Sequence, residues 1–128
     1  MAVDLSMPVL VVDDYKSMVR ILQNLLKSLG FSNVDGATSG PAALAMMLRT
    51  PYRLIISDWN MEPMSGYDLL RRLRADEESK SLPFIMVTAE CHTERVASAK
   101  AAGVSGYIVK PFNAQTLKTK LAAVLGEF

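Results

Sequence analysis

A single cysteine, Cys91, in 128 residues rules out any disulfide within the chain. Stability therefore has to come from a buried core, and a lone thiol fits a reducing compartment such as the cytoplasm. Net charge is also scarce: 14 basic against 13 acidic side chains leave +1. Nothing in that balance points to nucleic acid or to a membrane surface. The one basic run, Arg71, Arg72 and Arg74, reads as a solvated helix face, so DNA is not an expected partner. No apolar run approaches the ~20 residues that span a bilayer. The opening MAVDLSMP lacks the basic stretch and apolar run of a signal peptide, so neither membrane insertion nor export is expected. No repeat, low-complexity tract or linker divides the chain. Half of it is apolar, enough for one proper core, and residues 1–128 are read as one domain.

What is present is an alternation of two kinds of segment. Short apolar runs at Val9–Val12, Leu54–Ser57, Phe84–Val87 and Tyr107–Val109 lack polar alternation, which suits strands buried on both faces of a parallel sheet. Asn33–Ala37 is a weaker strand. Between them lie helical patterns. Ser17–Leu29 carries apolar residues at three- and four-residue spacing and stops at Gly30. Ser39-Gly40-Pro41 opens a second helix, with proline tolerated in the first turn. Ser65-Gly66 opens a third, which reaches about Arg74. Further helices run over about Thr93–Ala102 and Ala114–Leu125. The order is βα repeated five times, an α/β class. It predicts a doubly wound, five-stranded parallel sheet in the flavodoxin-like order 2-1-3-4-5.

Such sheets bind ligands at the carboxyl ends of their strands. The first strand ends in Asp13-Asp14, the third in Asp58, the fourth in Thr88, and the fifth in Lys110 before Pro111. Taken singly, these are ordinary: an aspartate caps the next helix, a threonine is a β-branched strand residue, and a lysine is a surface charge. Together they form a site. Three carboxylates repel and need a cation, and hard oxygen ligands suit Mg2+. The expected metal ligands are Asp13, Asp14, Asp58 and the backbone carbonyl of Asn60. The remaining oxygen of Asp58 is then a nucleophile for phosphorus, with Lys110 and Thr88 receiving phosphate oxygens.

The stretches VLVVDD, IISDWNM, MVTAE and GYIVKPF resemble the receiver domain of two-component response regulators, and among these the stand-alone regulators of chemotaxis. The resemblance covers nearly the whole chain. It implies Asp58 as phosphoacceptor, Thr88 as switch threonine and Lys110 as phosphate-binding lysine. It further implies Tyr107 as the aromatic that turns inward on activation, Ala89 as the small residue admitting phosphate, and a cis Lys110–Pro111 bond. Asn60 and Glu90 match positions that tune hydrolysis of the acyl phosphate. One loop departs from the family: Met61-Glu62-Pro63-Met64-Ser65-Gly66 places a carboxylate where a proline is usual.

The implied function is a phosphoacceptor, not a turnover enzyme, catalysing only its own phosphorylation and dephosphorylation. A histidine kinase is the expected donor. An effector such as a flagellar motor switch component would dock on the helix 4–strand 5–helix 5 surface, with Cys91, Val96, Lys100, Tyr107, Val109 and Lys120 as contacts. A monomer with no output domain is the simplest arrangement. A phosphorelay shuttle is the alternative within this class. A haloacid-dehalogenase-type phosphatase is disfavoured, because its general-acid aspartate would fall at Asn60. Cys91 and His92 lack a third partner for a reactive site, and Trp59 reads as a packing or surface aromatic.

Overall fold

The computed structural model describes residues 3–89 and 92–128. Five strands, β1 (Val9–Val12), β2 (Val34–Ala37), β3 (Leu54–Ser57), β4 (Phe84–Thr88) and β5 (Gly106–Val109), form one parallel sheet in the order β2-β1-β3-β4-β5. Five helices alternate with them: α1 (Lys16–Ser28), α2 (Gly40–Met47), α3 (Gly66–Ala75), α4 (Thr93–Ala101) and α5 (Ala114–Leu125). The predicted class and strand order are those observed. The weak strand at residues 33–37 forms as β2, at the sheet edge.

Pleating divides the strand residues between two cores, because successive side chains leave opposite faces of a sheet. Val9, Val11, Leu54, Ile56, Ile85, Val87 and Ile108 meet Leu22 and Leu26 of α1 and Leu117 and Leu121 of α5. Leu10, Val12, Ile55, Phe84 and Met86 meet Ala43 of α2, Leu69, Leu70 and Leu73 of α3 and Ala99 of α4. The central strands are buried on both faces, which is why their sequences are continuous apolar runs rather than alternating ones.

Helix starts follow local chemistry. Ser39 Oγ accepts from the Ala42 N–H, and Pro41 occupies the first turn of α2. Ser65 and Asp68 form a reciprocal capping box on α3. Asn113 caps α5. Helix α1 has no side-chain cap: its N-cap is Tyr15, so neither Asp13 nor Asp14 is consumed in that role.

The basic run on α3 is only partly the solvated face expected of it. Arg74 turns back, and its guanidinium donates to the Gly103 carbonyl at 2.9 Å and the Ser79 carbonyl at 3.3 Å. Burial holds its pKa below the ordinary arginine value. It ties α3 to the turn before β5, at the end of the sheet away from the strand carboxyl termini.

Core and surface positions should separate cleanly in stability. Leu121→Ala, at a fully buried site on α5, should cost about 2–5 kcal/mol. Leu48→Ala, at a site 90% exposed, should stay within about 0.5 kcal/mol of the parent. Urea unfolding followed by circular dichroism measures both.

Candidate functional site

The carboxyl ends of β1, β3, β4 and β5 converge on one rim, as the strand order requires. Asp13 and Asp14 follow β1, and Asp58 follows β3. One carboxylate oxygen from each of the three lies within 4.8 Å of the others. Asp13 and Asp58 are buried, at 1% and 7% exposure, whereas Asp14 is exposed. Lys110 follows β5 and reaches back over the rim. Its Nζ donates to Asp13 Oδ2 at 3.2 Å and lies 3.7 Å from Asp58 Oδ2.

Backbone contacts fix the two buried carboxylates. The Tyr15 N–H donates to Asp13 Oδ1 at 3.0 Å. The Trp59 N–H donates to Asp58 Oδ1 at 2.7 Å, which leaves Oδ2 turned toward Lys110. The Asp58 main chain is held in turn: its N–H donates to the Val12 carbonyl at 3.0 Å, continuing the β1–β3 ladder past the last paired residue. The Gly66 N–H closes the loop after Asp58 onto the Trp59 carbonyl at 2.8 Å. A Cβ at Gly66 would stand 1.9 Å from the Asp58 carbonyl oxygen, so only glycine lets α3 start this close to Asp58.

Charge is unbalanced here. Two like charges about 4 Å apart repel by roughly 4 kcal/mol at the effective dielectric of a protein surface. Three carboxylates against one ammonium leave net repulsion. Burial, the largest influence, holds the Asp13 carboxyl above the ordinary range, and the Asp58 charge adds a smaller push in the same direction. Its Tyr15 hydrogen bond and Lys110 pull the other way without reversing the shift. Clustered hard oxygen ligands with one exposed member suit Mg2+, which binds few protein oxygens and keeps waters.

A cavity of about 780 Å³ opens over these residues, lined among others by Asp14, Asp58, Asn60, Ala89 and Lys110. Asp13 and Thr88 are not in its wall; both are buried. Thr88 ends β4 on the face of Phe84 and Met86, and Tyr107 of β5 packs against that same core. In register, Thr88 opposes Val109 and Met86 opposes Tyr107, so Thr88 and Tyr107 are diagonal neighbours on one face. The Lys110–Pro111 bond is cis, as the resemblance implies, and Glu62–Pro63 is cis as well. Glu90 and Cys91 lie outside the described residues.

Sequence reasoning missed three residues of the wall, Tyr15, Tyr67 and Arg95. Tyr15 is 67% exposed. The Arg95 guanidinium sits 4.9 Å from the centroid of the Trp59 indole. Trp59 is a packing aromatic, 5% exposed and stacked on Tyr67 at 5.0 Å.

A family model described as the response regulator receiver domain matches residues 9–122. The Vibrio cholerae chemotaxis protein CheY-3 is 51% identical over 116 residues, covering 91% of this chain and 89% of that protein. The Pseudomonas aeruginosa chemotaxis protein CheY is 48% identical over 118 residues, covering 92% and 95%. Among solved structures, Vibrio cholerae chemotaxis protein CheY4 superposes with a TM-score of 0.87 at 36% identity, covering 94% of this chain and 99% of that one.

Two measurements test the charge argument. Because the Asp13 pKa is raised in the folded state, the folded protein holds that proton more tightly than the unfolded chain. Stability therefore falls as pH rises from the unfolded carboxylate value through the folded one. In metal-free buffer Asp13→Asn should melt above the parent at neutral pH, with the difference closing below that window. Added Mg2+ should raise the parent's Tm and leave Asp13→Asn nearly unmoved. Separately, Gly66→Ala should cost at least about 2 kcal/mol in urea and weaken the Mg2+-dependent rise in Tm.

Proposed function

The chain belongs to the family of response regulator receiver domains, and on that premise we propose that Asp58 is its phosphoacceptor, loaded by a histidine kinase in a chemotaxis pathway. The observation that carries the proposal is the rim itself: three carboxylates within 4.8 Å and the Lys110 ammonium between two of them. The donor set fits Mg2+, with Asp13, Asp14, Asp58 and the Asn60 carbonyl as its ligands. When bound, the ion offsets the negative charge of the carboxylates and of an incoming phosphoryl group.

The nucleophile in this reading is Asp58 Oδ2. Oδ1 already accepts the Trp59 N–H, whereas Oδ2 faces Lys110. Oδ2 attacks phosphorus as the P–N bond to the donor histidine breaks, and the imidazole leaves with its electron pair. Lys110 is poised to take a phosphoryl oxygen. Ala89, small and exposed in the cavity wall, leaves the entry open. Buried Asp58 starts with its carboxylate already oriented, so the chain contributes mostly positioning and charge stabilisation. It completes one transfer onto itself rather than turning over a separate substrate.

The phosphoryl group adds about −1.5 to −2 charge where Asp58 stood. The Thr88 hydroxyl moves to donate to it, and the space left on the α4 side of β4 admits Tyr107, its diagonal neighbour. Val109 is 41% exposed, while Lys100 and Lys120 are exposed on α4 and α5. The α4–β5–α5 surface is thereby coupled to the acceptor, and an effector such as a flagellar motor switch component would sense it by population shift. Asn60, in the cavity wall, and Glu90 set how long the phosphoryl group lasts.

Acetyl phosphate or beryllofluoride with Mg2+ should change Trp59 fluorescence, because the Trp59 N–H is bonded to Asp58. Asp58→Asn should abolish both the change and phosphate incorporation; a response that survives would overturn the assignment. Phosphorylation should also tighten binding to a flagellar switch peptide, and unchanged binding would count against the motor output while leaving Asp58 as acceptor.

A further inference from the structure

We infer that Arg95 is a donor-selecting residue of the acceptor site, drawing strongly anionic phosphodonors into the cavity over Asp58; the inference rests on the phosphoacceptor reading above. Arg95 is in the first turn of α4, an exposed position from which a long cationic side chain would ordinarily extend into solvent. Instead its guanidinium carbon lies 4.9 Å from the Trp59 ring centroid, and the residue is part of the wall shared by Asp14, Asp58 and Lys110.

The stack beneath it is continuous. The Trp59 indole lies parallel to the Tyr67 ring, 5.0 Å away and tilted by 7°. Arg71 sits over Tyr67 at 5.7 Å. The Trp59 N–H is bonded to Asp58 Oδ1. Trp59 thus holds the acceptor carboxylate with its backbone N–H while its indole face carries the Arg95 guanidinium, which places that charge beside the site.

A cation on an aromatic face keeps its full charge, since the ring quadrupole attracts without neutralising. Among the described residues, no carboxylate is at ion-pair distance from Arg95. Lys110 differs: its ammonium is already shared between Asp13 and Asp58. The wall also holds Glu62, whose negative charge opposes an approaching phosphate. Arg95 is the wall cation left to offset it. Its role is long-range attraction and holding of the donor rather than a bond to the transferring phosphoryl oxygens, so it is a specificity residue.

The chemical class selected is a donor whose phosphoryl group enters with high negative charge, such as an acyl phosphate. Phosphoramidate, less negative at neutral pH, gains less. A single charge in a partly solvated cleft is worth on the order of three- to tenfold in association rate, and the gain weakens with salt.

The test compares the parent with Arg95→Ala, Arg95→Gln and Arg95→Lys, each with Mg2+. Incorporation from acetyl phosphate and from phosphoramidate is read on phosphate-affinity gels, since these variants disturb Trp59 fluorescence directly. Ala and Gln should lower the acetyl phosphate rate about three- to tenfold and flatten its salt dependence. They should change the phosphoramidate rate less, and Lys should restore most of the parent behaviour. Equal losses with both donors, or rescue by neutral Gln, would assign Arg95 to packing and overturn the inference. A parent that accepts phosphate from neither donor would overturn the acceptor reading itself, and this inference with it.

Discussion

Mutual repulsion among Asp13, Asp14 and Asp58 is the constraint around which the molecule is organised. No polypeptide gathers three carboxylates within 4.8 Å unless the surrounding structure fixes them and something offsets their charge. The parallel sheet does the first. Its strands end together, and the β1–β3 ladder is extended by the Asp58 N–H onto the Val12 carbonyl. The cost of separating the carboxylates is therefore the cost of breaking a sheet buried on both faces. Lys110 does part of the second, reaching two of the three. Burial, with a smaller push from Asp58, keeps the Asp13 carboxyl above its ordinary range, and the carboxylate charge left uncompensated suits the rim to a divalent cation.

The same sheet links the rim to the α4 side of the molecule. Thr88 and Tyr107 share one face because pleating puts every second residue of β4 and β5 there. That face also holds Phe84, Met86 and Ala99 in a close-packed core. A dense core does not deform smoothly; side chains exchange between discrete arrangements. Thr88 is wholly buried yet one residue from the exposed Ala89 of the cavity wall. It is thus the point where the rim meets the packed core on the α4 side.

Much of this was legible in the sequence, for identifiable reasons. Strands buried on both faces have to be apolar throughout, so β1, β3 and β4 announced themselves, and their final residues named the rim. Asp13 and Asp14 looked equally like helix caps until the structure gave that place to Tyr15, with no side-chain cap at all. Arg74 read as a solvated charge because a sequence does not show that a carbonyl on the turn at Gly103 will lie within reach of α3. Gly66 carried a turn signal, but its real constraint, the Asp58 carbonyl where a Cβ would be, comes from tertiary approach. Arg95 was invisible for a similar reason. Nothing local joins it to Trp59, 36 positions earlier; only the packing of α4 beside the loop after Asp58 does.

The loop that departs from the family pattern is where these threads meet. Glu62 lines the cavity but is not among the carboxylates that close on one another within 4.8 Å. Its charge therefore acts on the field at the mouth more than on the three clustered carboxylates. Trp59, three residues before it, is braced on Tyr67 and Arg95, and its N–H still holds Asp58 Oδ1. The Asp58 carboxylate is thus held by a residue braced on a stacked aromatic pair, and the cation on that pair lines the same cavity as Glu62. In the proposed reading, the departure bears on what approaches the site and leaves in place the groups that would perform the transfer.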